Sequence, residues 1–317
     1  MLILAPMQGL TELLFRRVFH RCYPGALDYA VSPFLSLTHG NLRDAGKKIT
    51  DVLPELNVDS IPVVPQLLGH EVTEFVDLSN RLYDLGYTEI NWNMGCPMRR
   101  VAGKHRGSGI LQYPDEVSSI LDYVVPKLKP QLSVKIRLGY RSQDEIDRIV
   151  PILNSYPLKD ITIHPRIGKQ VYSGHPDLDK LAEVLPSIRH KVIYNGDICS
   201  VYDYKKIRTL FPQIVDVMIG RGVLYNPLLP MQIRQQCPED FDTASDGRPL
   251  MPANEFIIAL MEEINGLDVG PQAKIRKMKE YWCLLSKALS GSEESKRKVL
   301  YSSDLDEIFA LILEMAK

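Results

Sequence analysis

A cysteine on a tight turn is the first residue in this chain whose type and setting indicate chemistry. Cys96 follows a probable strand at 89–93 and lies between Gly95 and Pro97. A thiol on a strand-to-loop turn is placed to contact a substrate, whereas free cysteines are also common in cores as structural residues. The segment that follows is predicted to be a mobile basic loop. It contains Arg99, Arg100, Gly103, Lys104, His105, Arg106, Gly107, Ser108 and Gly109.

The elements that must position this cysteine follow a repeating order. Apolar, β-rich runs alternate with helical patterns over the first three quarters of the chain, which is typical of βα units on a parallel sheet. Strands are predicted at 2–5, 29–32, 63–67, 89–93, 132–137, 160–164, 192–195 and 215–219, and helices at 11–22, 71–85, 115–128, 143–155, 178–185 and 202–210. Eight strands predict an α/β fold of the (β/α)8 TIM-barrel type.

Polar groups stand at the carboxyl ends of most of these strands. They are Pro6-Met7-Gln8-Gly9, Gln66, Asn93 with Cys96, Lys135 with Arg137, His164 with Arg166, Asn195-Gly196-Asp197 and Gly220-Arg221-Gly222. Any one of them is compatible with a buried structural role, but seven in register on the rim of a barrel indicate an active site. The last two groups favour phosphate, because glycines let backbone N–H groups approach an anion.

Composition narrows the class of protein. The chain has 317 residues, of which 45% are hydrophobic and 24% charged, as in globular proteins. No apolar run reaches membrane-spanning length and the N-terminus has no basic leader, so we expect a cytoplasmic protein with no membrane contact. Five scattered cysteines without CxxC spacing argue against disulfides and against a metal site. A net charge of −1 leaves nucleic-acid binding to local clusters of cations.

The last quarter of the chain predicts a second domain. Residues 237–252 contain three prolines, one glycine and four acidic residues, as in linkers. We expect a catalytic barrel at 1–238, a linker at 239–251 and a helical bundle at 252–317, with helices at 253–265, 271–289, 293–301 and 303–316. The cations Lys274, Arg276 and Lys277 fit a solvated helix face, or a track for a phosphate backbone together with the basic loop.

In combination these motifs resemble those of the tRNA-dihydrouridine synthases, flavin enzymes that reduce a uridine of tRNA with electrons from NADPH. The resemblance covers the whole barrel in the family's order, the helical tail also fits, and the bacterial synthase C branch is the most similar. The matching motifs are LAPMQG at 4–9, QLLG at 66–69, NMGCP at 93–97, VKIRLG at 134–139, HPR at 164–166, NGD at 195–197 and MIGRG at 218–222.

This resemblance implies a cofactor, a reaction and roles for individual residues. Cys96 is implied as the proton donor. A free thiol is mostly protonated at neutral pH, which suits an acid that protonates C5 of uracil while the flavin N5 delivers a hydride to C6. Lys135 is expected at the pyrimidine edge of the flavin, where reduction leaves negative charge. FMN is implied to be held by Pro6, Met7, Gln66, Lys135, His164, Asn195, Asp197, Gly220 and Arg221.

The expected substrate is a D-loop uridine of tRNA, with position 16 favoured, and its base must leave the stack to enter the barrel. Asn93 and Arg166 are expected to hydrogen-bond the uracil. Contacts to tRNA are expected from Arg99, Arg100, Lys274, Arg276 and Lys277. NADPH is implied only by the resemblance, no metal is expected, and the protein is expected to be a monomer.

Among the departures from the family pattern, Pro33, Pro165 and Ile167 bear on the uracil pocket. The segment 172–178 also lacks the aromatic residue that often follows its Asp in the family. Two other functions remain open at this point. One is an FMN barrel of the dihydroorotate dehydrogenase type acting on a free pyrimidine, which does not need the C-terminal helices. The other is a tRNA-binding protein without catalysis, against which the retention of Cys96 and Lys135 argues.

Overall fold

A computed structural model describes residues 1–36, 49–235, 251–290 and 292–316 and shows a parallel α/β barrel, so the predicted fold class is confirmed. Every strand pairing in it is parallel. The strands are β1 (Leu2–Leu4), β2 (Tyr29–Val31), β3 (Leu35–Ser36), β4 (Val63–Val64), β5 (Gln66–Leu68), β6 (Glu89–Met94), β7 (Gln131–Gly139), β8 (Asp160–Ile167), β9 (Lys191–Asn195) and β10 (Asp216–Ile219).

Pro65 divides the third strand of the barrel between two neighbours. The segment before it, β4, pairs with β2, and the segment after it, β5, pairs with β3 and β6. Proline has no N–H to donate, but the Pro65 carbonyl still accepts from Asn91 N at 2.9 Å. Since β2 and β3 are likewise two segments of the second strand, the ten segments close into eight strands around one axis.

Helices cover the outside of the barrel, and six of them lie within a few residues of the predicted ranges. The barrel helices are α1 (Leu13–Cys22), α2 (Val72–Asp84), α3 (Arg99–Ala102), α4 (Pro114–Val124), α5 (Glu145–Leu153), α6 (Leu178–Val184), α7 (Val201–Leu210), α8 (Arg221–Tyr225) and α9 (Leu229–Gln235). The segment after Cys96, predicted as a basic loop, instead forms α3 and a 3₁₀ helix at Gly107–Gln112. That prediction was wrong because glycine and charge are compatible with short helical turns.

Strand alternation turns the functional side chains inward. In β7 the apolar residues Leu132, Val134, Ile136 and Leu138 join the core between sheet and helices. The residues between them, Ser133, Lys135 and Arg137, therefore point into the barrel. β6 follows the same rule, with Ile90, Trp92 and Met94 outward and Asn91 and Asn93 inward.

The C-terminal helices form the predicted bundle and pack on the first barrel helix. They are α10 (Ala253–Asn265), α11 (Pro271–Leu285), α12 (Glu293–Tyr301) and α13 (Leu305–Met315). Phe256 of α10 meets Phe15 edge-on at 5.8 Å between ring centroids, and Tyr281 of α11 stacks on the same ring at 6.0 Å. Barrel and bundle thus share one apolar core. Most of the predicted linker, 239–251, lies outside the described residues, so the domain boundaries stay predictions.

Within the described chain, no helix is both long and apolar enough to span a membrane.

Candidate active site

The turn that carries Cys96 is held by Asn93, three residues earlier. Asn93 Oδ1 accepts from the backbone N of Gly95 at 3.1 Å and of Cys96 at 2.9 Å. Gly107 packs directly against the turn, where a Cβ would lie 2.7 Å from the Cys96 carbonyl oxygen and 2.8 Å from its Cβ. A side chain larger than hydrogen at position 107 therefore cannot be accommodated, and the thiol has a fixed place on the rim.

Burial raises the pKa of the half-buried Cys96 thiol. A backbone N–H from Met98 and the charges of Arg137, Arg100 and Lys135 act in the opposite direction without cancelling the effect of burial. The thiol is therefore protonated at neutral pH, as an acid in catalysis must be before it acts.

A chain of side-chain amides orients Asn93 from below. Asn93 Nδ2 donates to Gln66 Oε1 at 2.7 Å, Gln66 Nε2 donates to Asn91 Oδ1 at 2.8 Å, and Asn91 Nδ2 donates to Ser133 Oγ at 3.0 Å. Gln66 is completely buried and does not line the cavity described below. In this structure it supports Asn93, and its predicted contact with FMN stays a prediction.

Two cations on β7 face the thiol. Lys135 is half-buried, and no carboxylate pairs with it and no hydrogen bond holds its ammonium within the part of the chain that the structure describes. Burial, with a smaller contribution from the charge of Arg137, lowers its pKa to about 7. Arg137 is anchored by three carbonyls, donating to Gly95 at 3.0 Å, Ile167 at 3.0 Å and Val171 at 2.8 Å.

At the carboxyl ends of the neighbouring strands, His164, Arg166, Asp197 and Arg221 form a second polar cluster. Arg166 Nη1 lies 3.0 Å from Asp197 Oδ1, and Arg221 Nη2 reaches the same oxygen at 2.7 Å. Burial opposes ionisation of Asp197, but the two guanidinium groups outweigh it and hold the pKa of that carboxyl below its usual range. The pair of arginines therefore keeps Asp197 charged at the rim.

His164 is neutral in this cluster. Burial, together with the charges of Arg137, Lys135 and the two arginines on Asp197, lowers the pKa of His164 well below its ordinary value. Arg166 Nη1 lies 3.1 Å from His164 Nε2. Because an arginine can only donate, Nε2 is the acceptor and Nδ1 carries the proton.

Gly222 brings the last two loops of the barrel together. A Cβ at Gly222 would lie 2.0 Å from the carbonyl oxygen of Ile198. Asn195 on the first of these loops donates from Nδ2 to the Met218 carbonyl at 2.8 Å. Gly222, one of the glycines predicted from sequence to admit an anion, is therefore required by the packing of the two loops.

These side chains surround one cavity of about 1250 Å³ at the carboxyl ends of the strands. It is lined by these predicted site residues: Pro6, Met7, Asn93, Cys96, Arg100, Lys135, His164, Asn195, Asp197, Gly220 and Arg221. The C-terminal helix α11 also contributes to its wall, through Glu280 and Leu284.

Other predicted residues lie elsewhere. Arg166 is 1% exposed and absent from the cavity lining, with further donors directed at the carbonyls of Ser173 and Gly174. Arg99 and Arg276 are exposed outside the cavity.

Two lysines of α11 are occupied by the protein itself. Lys277 donates to Glu12 at 2.6 Å and to the Gly9 carbonyl at 2.5 Å, and it lines an adjoining cavity of about 340 Å³ that shares Glu12 with the first. Lys274 donates to the Asn265 carbonyl. Their contacts with tRNA stay predictions.

Some lining residues were not predicted as site residues. The sequence places Arg137 at a strand end and predicts no role for it, although strand alternation turns it to the same side of β7 as Lys135. Tyr172 lies under two guanidinium groups, with Arg221 Cζ 4.5 Å and Arg137 Cζ 5.7 Å from its ring centroid. Its backbone position depends on Val171, which has φ of 52°, and no sequence pattern indicates that turn.

The fold and the rim cavity define an enzyme of the parallel α/β-barrel class. The structure is similar to that of the old yellow enzyme homologue from Zymomonas mobilis, with a TM-score of 0.52, 11% identity and coverage of 79% of this chain and 93% of that chain. At that identity the likeness shows the fold alone.

The chain belongs to the dihydrouridine synthase family, whose model, "Dihydrouridine synthase (Dus)", matches residues 3–299. It is 26% identical over 326 residues to the tRNA-dihydrouridine(16) synthase of Neisseria meningitidis serogroup B, covering 100% of this chain and 95% of that protein. It is 30% identical over 240 residues to tRNA-dihydrouridine synthase B of Escherichia coli strain K12, covering 74% and 71%. The predicted family is confirmed, while the choice of synthase branch stays a prediction.

Proposed function

We propose that this protein reduces the C5=C6 bond of a uridine in tRNA to give dihydrouridine, with FMN as cofactor and NADPH as reductant. Family membership supports the reaction. The observation that carries the chemistry is that Cys96 lies on the wall of the same cavity as Lys135, Arg137 and His164. The raised pKa of Cys96 supports its role as an acid.

The residues present fit a flavin mononucleotide. The cavity is larger than the roughly 300–1,000 Å³ of a typical single-ligand pocket, so it has room for a flavin and a base together. Lys135 has no anionic partner in the described chain and suits the electron-rich edge of a reduced flavin. Arg221 and the backbone around Gly220 offer donors for its phosphate. When bound and reduced, the flavin supplies the hydride that is added at C6.

The chain's own residues supply the proton. Transfer of the Cys96 proton to C5 completes the saturated ring and leaves a thiolate, which regains a proton from water. The charges of Arg137, Arg100 and Lys135 lower the pKa of this thiol and therefore stabilise the thiolate as it forms. Burial keeps the proton on sulfur before the base binds, whereas the neighbouring cations stabilise the thiolate after the proton has been transferred.

Recognition of the base is proposed to involve Asn93 and Arg137. Asn93 lines the cavity next to the thiol, and Arg137 lies on the adjacent strand. Arg137 donates three of its five N–H groups to carbonyls, so two are left for the base. Arg166 lies outside the cavity lining and directs all its donors at Asp197, His164 and two carbonyls, so we assign it to positioning Asp197 and His164. Contact of Arg166 with uracil would require these bonds to rearrange.

The tRNA body is proposed to lie across the basic rim and the helical domain. Arg99, Arg100 and Arg276 are exposed and available for phosphates. Lys274 and Lys277 would have to exchange their present carbonyl and carboxylate partners for a phosphate. A monomer in the cytoplasm acting on a D-loop uridine is part of the proposal.

The test uses the purified chain, unmodified tRNA transcript and NADPH, with dihydrouridine measured by mass spectrometry after nuclease digestion. The Cys96→Ala variant should keep a yellow flavin spectrum and tRNA binding but lose about 10²- to 10⁴-fold in rate. Cys283→Ala is the matched control, because Cys283 is exposed and outside the cavity. Equal rates for the two variants would refute the acid assignment.

Two further measurements distinguish the proposed function from the two alternative functions. Turnover of free uracil or uridine in preference to tRNA would favour a free-pyrimidine enzyme. A protein that binds tRNA but forms no dihydrouridine under any reducing condition would be a binding protein without catalysis.

A further inference from the structure

The lining of the cavity carries more positive than negative charge, and only some of the cations are assigned to flavin binding. Its lining contains six cations and three carboxylates, although the chain as a whole has a net charge of −1. Two of the carboxylates, Asp197 and Glu12, are already in ion pairs. Among the cations, Arg100, Lys104 and Arg106 form no ion pair within the described residues, and all three follow Cys96 in one short segment.

Arg106 is the member of this group with the clearest need for a partner. Its Nε is buried and has no hydrogen-bond acceptor among the residues that the structure describes. A buried donor on a charged group without an acceptor is costly. An anion bound in the cavity would satisfy it.

The backbone on either side of Arg106 is sharply bent. His105 and Gly107 on either side have φ of 52° and 55°, whereas Arg106 itself is extended. A non-glycine residue at positive φ is strained and needs support. His105 has it, since its ring stacks on Tyr113 at 3.8 Å between centroids and its Nδ1 lies 2.9 Å from a carboxylate oxygen of Glu116.

The same bend places the backbone that follows Arg106 against the turn that carries Cys96. Gly107 lies against Cys96, and Ser108 donates to the Cys96 carbonyl from its backbone N at 3.0 Å and from Oγ at 2.9 Å. Because Arg106 and Cys96 line the same cavity, an anion held by Arg106 would lie in the cavity that receives the base. In a nucleic acid the phosphate nearest to a base is joined to it through a single ribose.

We propose that Arg100, Lys104 and Arg106 form a phosphate subsite that binds a phosphodiester flanking the uridine inserted into the cavity. This rests on the proposed function and adds the element that holds the flipped nucleotide by its backbone. A guanidinium matches two phosphate oxygens at once, which a lysine does not. The reductant also carries phosphates, but the position of the subsite on the Cys96 segment favours the RNA.

The experiment compares Arg106→Ala and Arg106→Lys with Arg148→Ala in the flavin-loaded protein. Arg148 is an exposed arginine on α5 outside the cavity, so its loss changes the net charge equally. tRNA affinity is measured over a range of salt concentrations. Arg106→Ala should bind roughly tenfold more weakly, and its slope of log K against log salt should fall by about 0.7 to 0.9. Arg106→Lys should keep the slope and recover only part of the affinity.

Two results would overturn the assignment. One is an affinity and salt slope for Arg106→Ala equal to those of Arg148→Ala. The other is a slower reduction of the flavin by NADPH without RNA, at unchanged tRNA affinity, which would assign the subsite to the dinucleotide. Flavin content and thermal unfolding establish that each variant is folded, and Arg106→Gln replaces any that is not. Because binding is measured directly, failure of the wild type to form dihydrouridine would count against the proposed function alone.

Discussion

Replacing Lys135 by methionine should stabilise the flavin-free protein while weakening its hold on the cofactor. The pKa of Lys135 is lowered from 10.5 to about 7, mainly by burial. At about 1.4 kcal/mol per pKa unit, keeping this ammonium charged in the folded state costs about 5 kcal/mol. Methionine has a similar length and no charge, so the variant avoids that cost.

The sign of the pH dependence follows from the two pKa values. Below pH 7 the lysine is charged in both the folded and the unfolded chain, and the full cost is present. Between pH 7 and 10.5 the folded chain has released a proton that the unfolded chain still holds, so wild-type stability rises with pH. The stabilisation of Lys135→Met should therefore be larger at pH 6 than at pH 9, by about 2 to 3 kcal/mol.

Urea unfolding of flavin-free protein at the two pH values measures this difference, with Lys205→Met, at an exposed site, as the control. Titration with FMN, followed by quenching of flavin fluorescence, measures the loss of affinity, expected to be about tenfold or more for a charge-assisted bond. A stability difference between variant and wild type that does not change with pH would refute the reasoning. So would unaltered FMN affinity.

Two further predictions concern other parts of the barrel. Burial, reinforced by the charge of Glu89, raises the pKa of Asp160 at the opposite end of the barrel from 3.8 to about 7. Its ionisation therefore destabilises the folded state as pH rises through that range, and Asp160→Asn should gain about 2 to 3 kcal/mol more at pH 8 than at pH 5 in urea unfolding. A constant gain would count against a shifted pKa. Gly222→Ala should lose flavin and lower the melting temperature, because its Cβ meets the Ile198 carbonyl. Gly270→Ala, with open space around it and φ of −64°, should keep the flavin, and a yellow Gly222→Ala protein would contradict this.

The sequence was sufficient to predict the barrel and most of its rim. Strand periodicity and polar residues at strand ends are local properties, and the alternation in β6 and β7 fixes which residues point inward. Asn93, Cys96 and Lys135 accordingly lie on one cavity, as the pattern indicates.

The sequence did not reveal which hydrogen-bond and ion-pair partners the tertiary structure brings to individual side chains. Arg166 looks like a free cation in sequence, but burial against Asp197 and two carbonyls uses its donors. Lys277 looks like one of several solvated lysines, yet it bonds Glu12 and Gly9, more than 260 positions earlier in the chain. Such pairings depend on how the bundle meets the barrel, which no local pattern records.

The contact between α1 and the C-terminal helices limits how this chain can be recombined. Phe15 is enclosed by Phe256 and Tyr281, and the Tyr281 hydroxyl donates to the Leu10 carbonyl at 2.5 Å. A chimera that takes its C-terminal helices from a relative with other tRNA preferences must therefore import the matching first helix and the loop before it. Grafted without them, the foreign helices would leave aromatic rings open to water and a gap in the wall of the cavity.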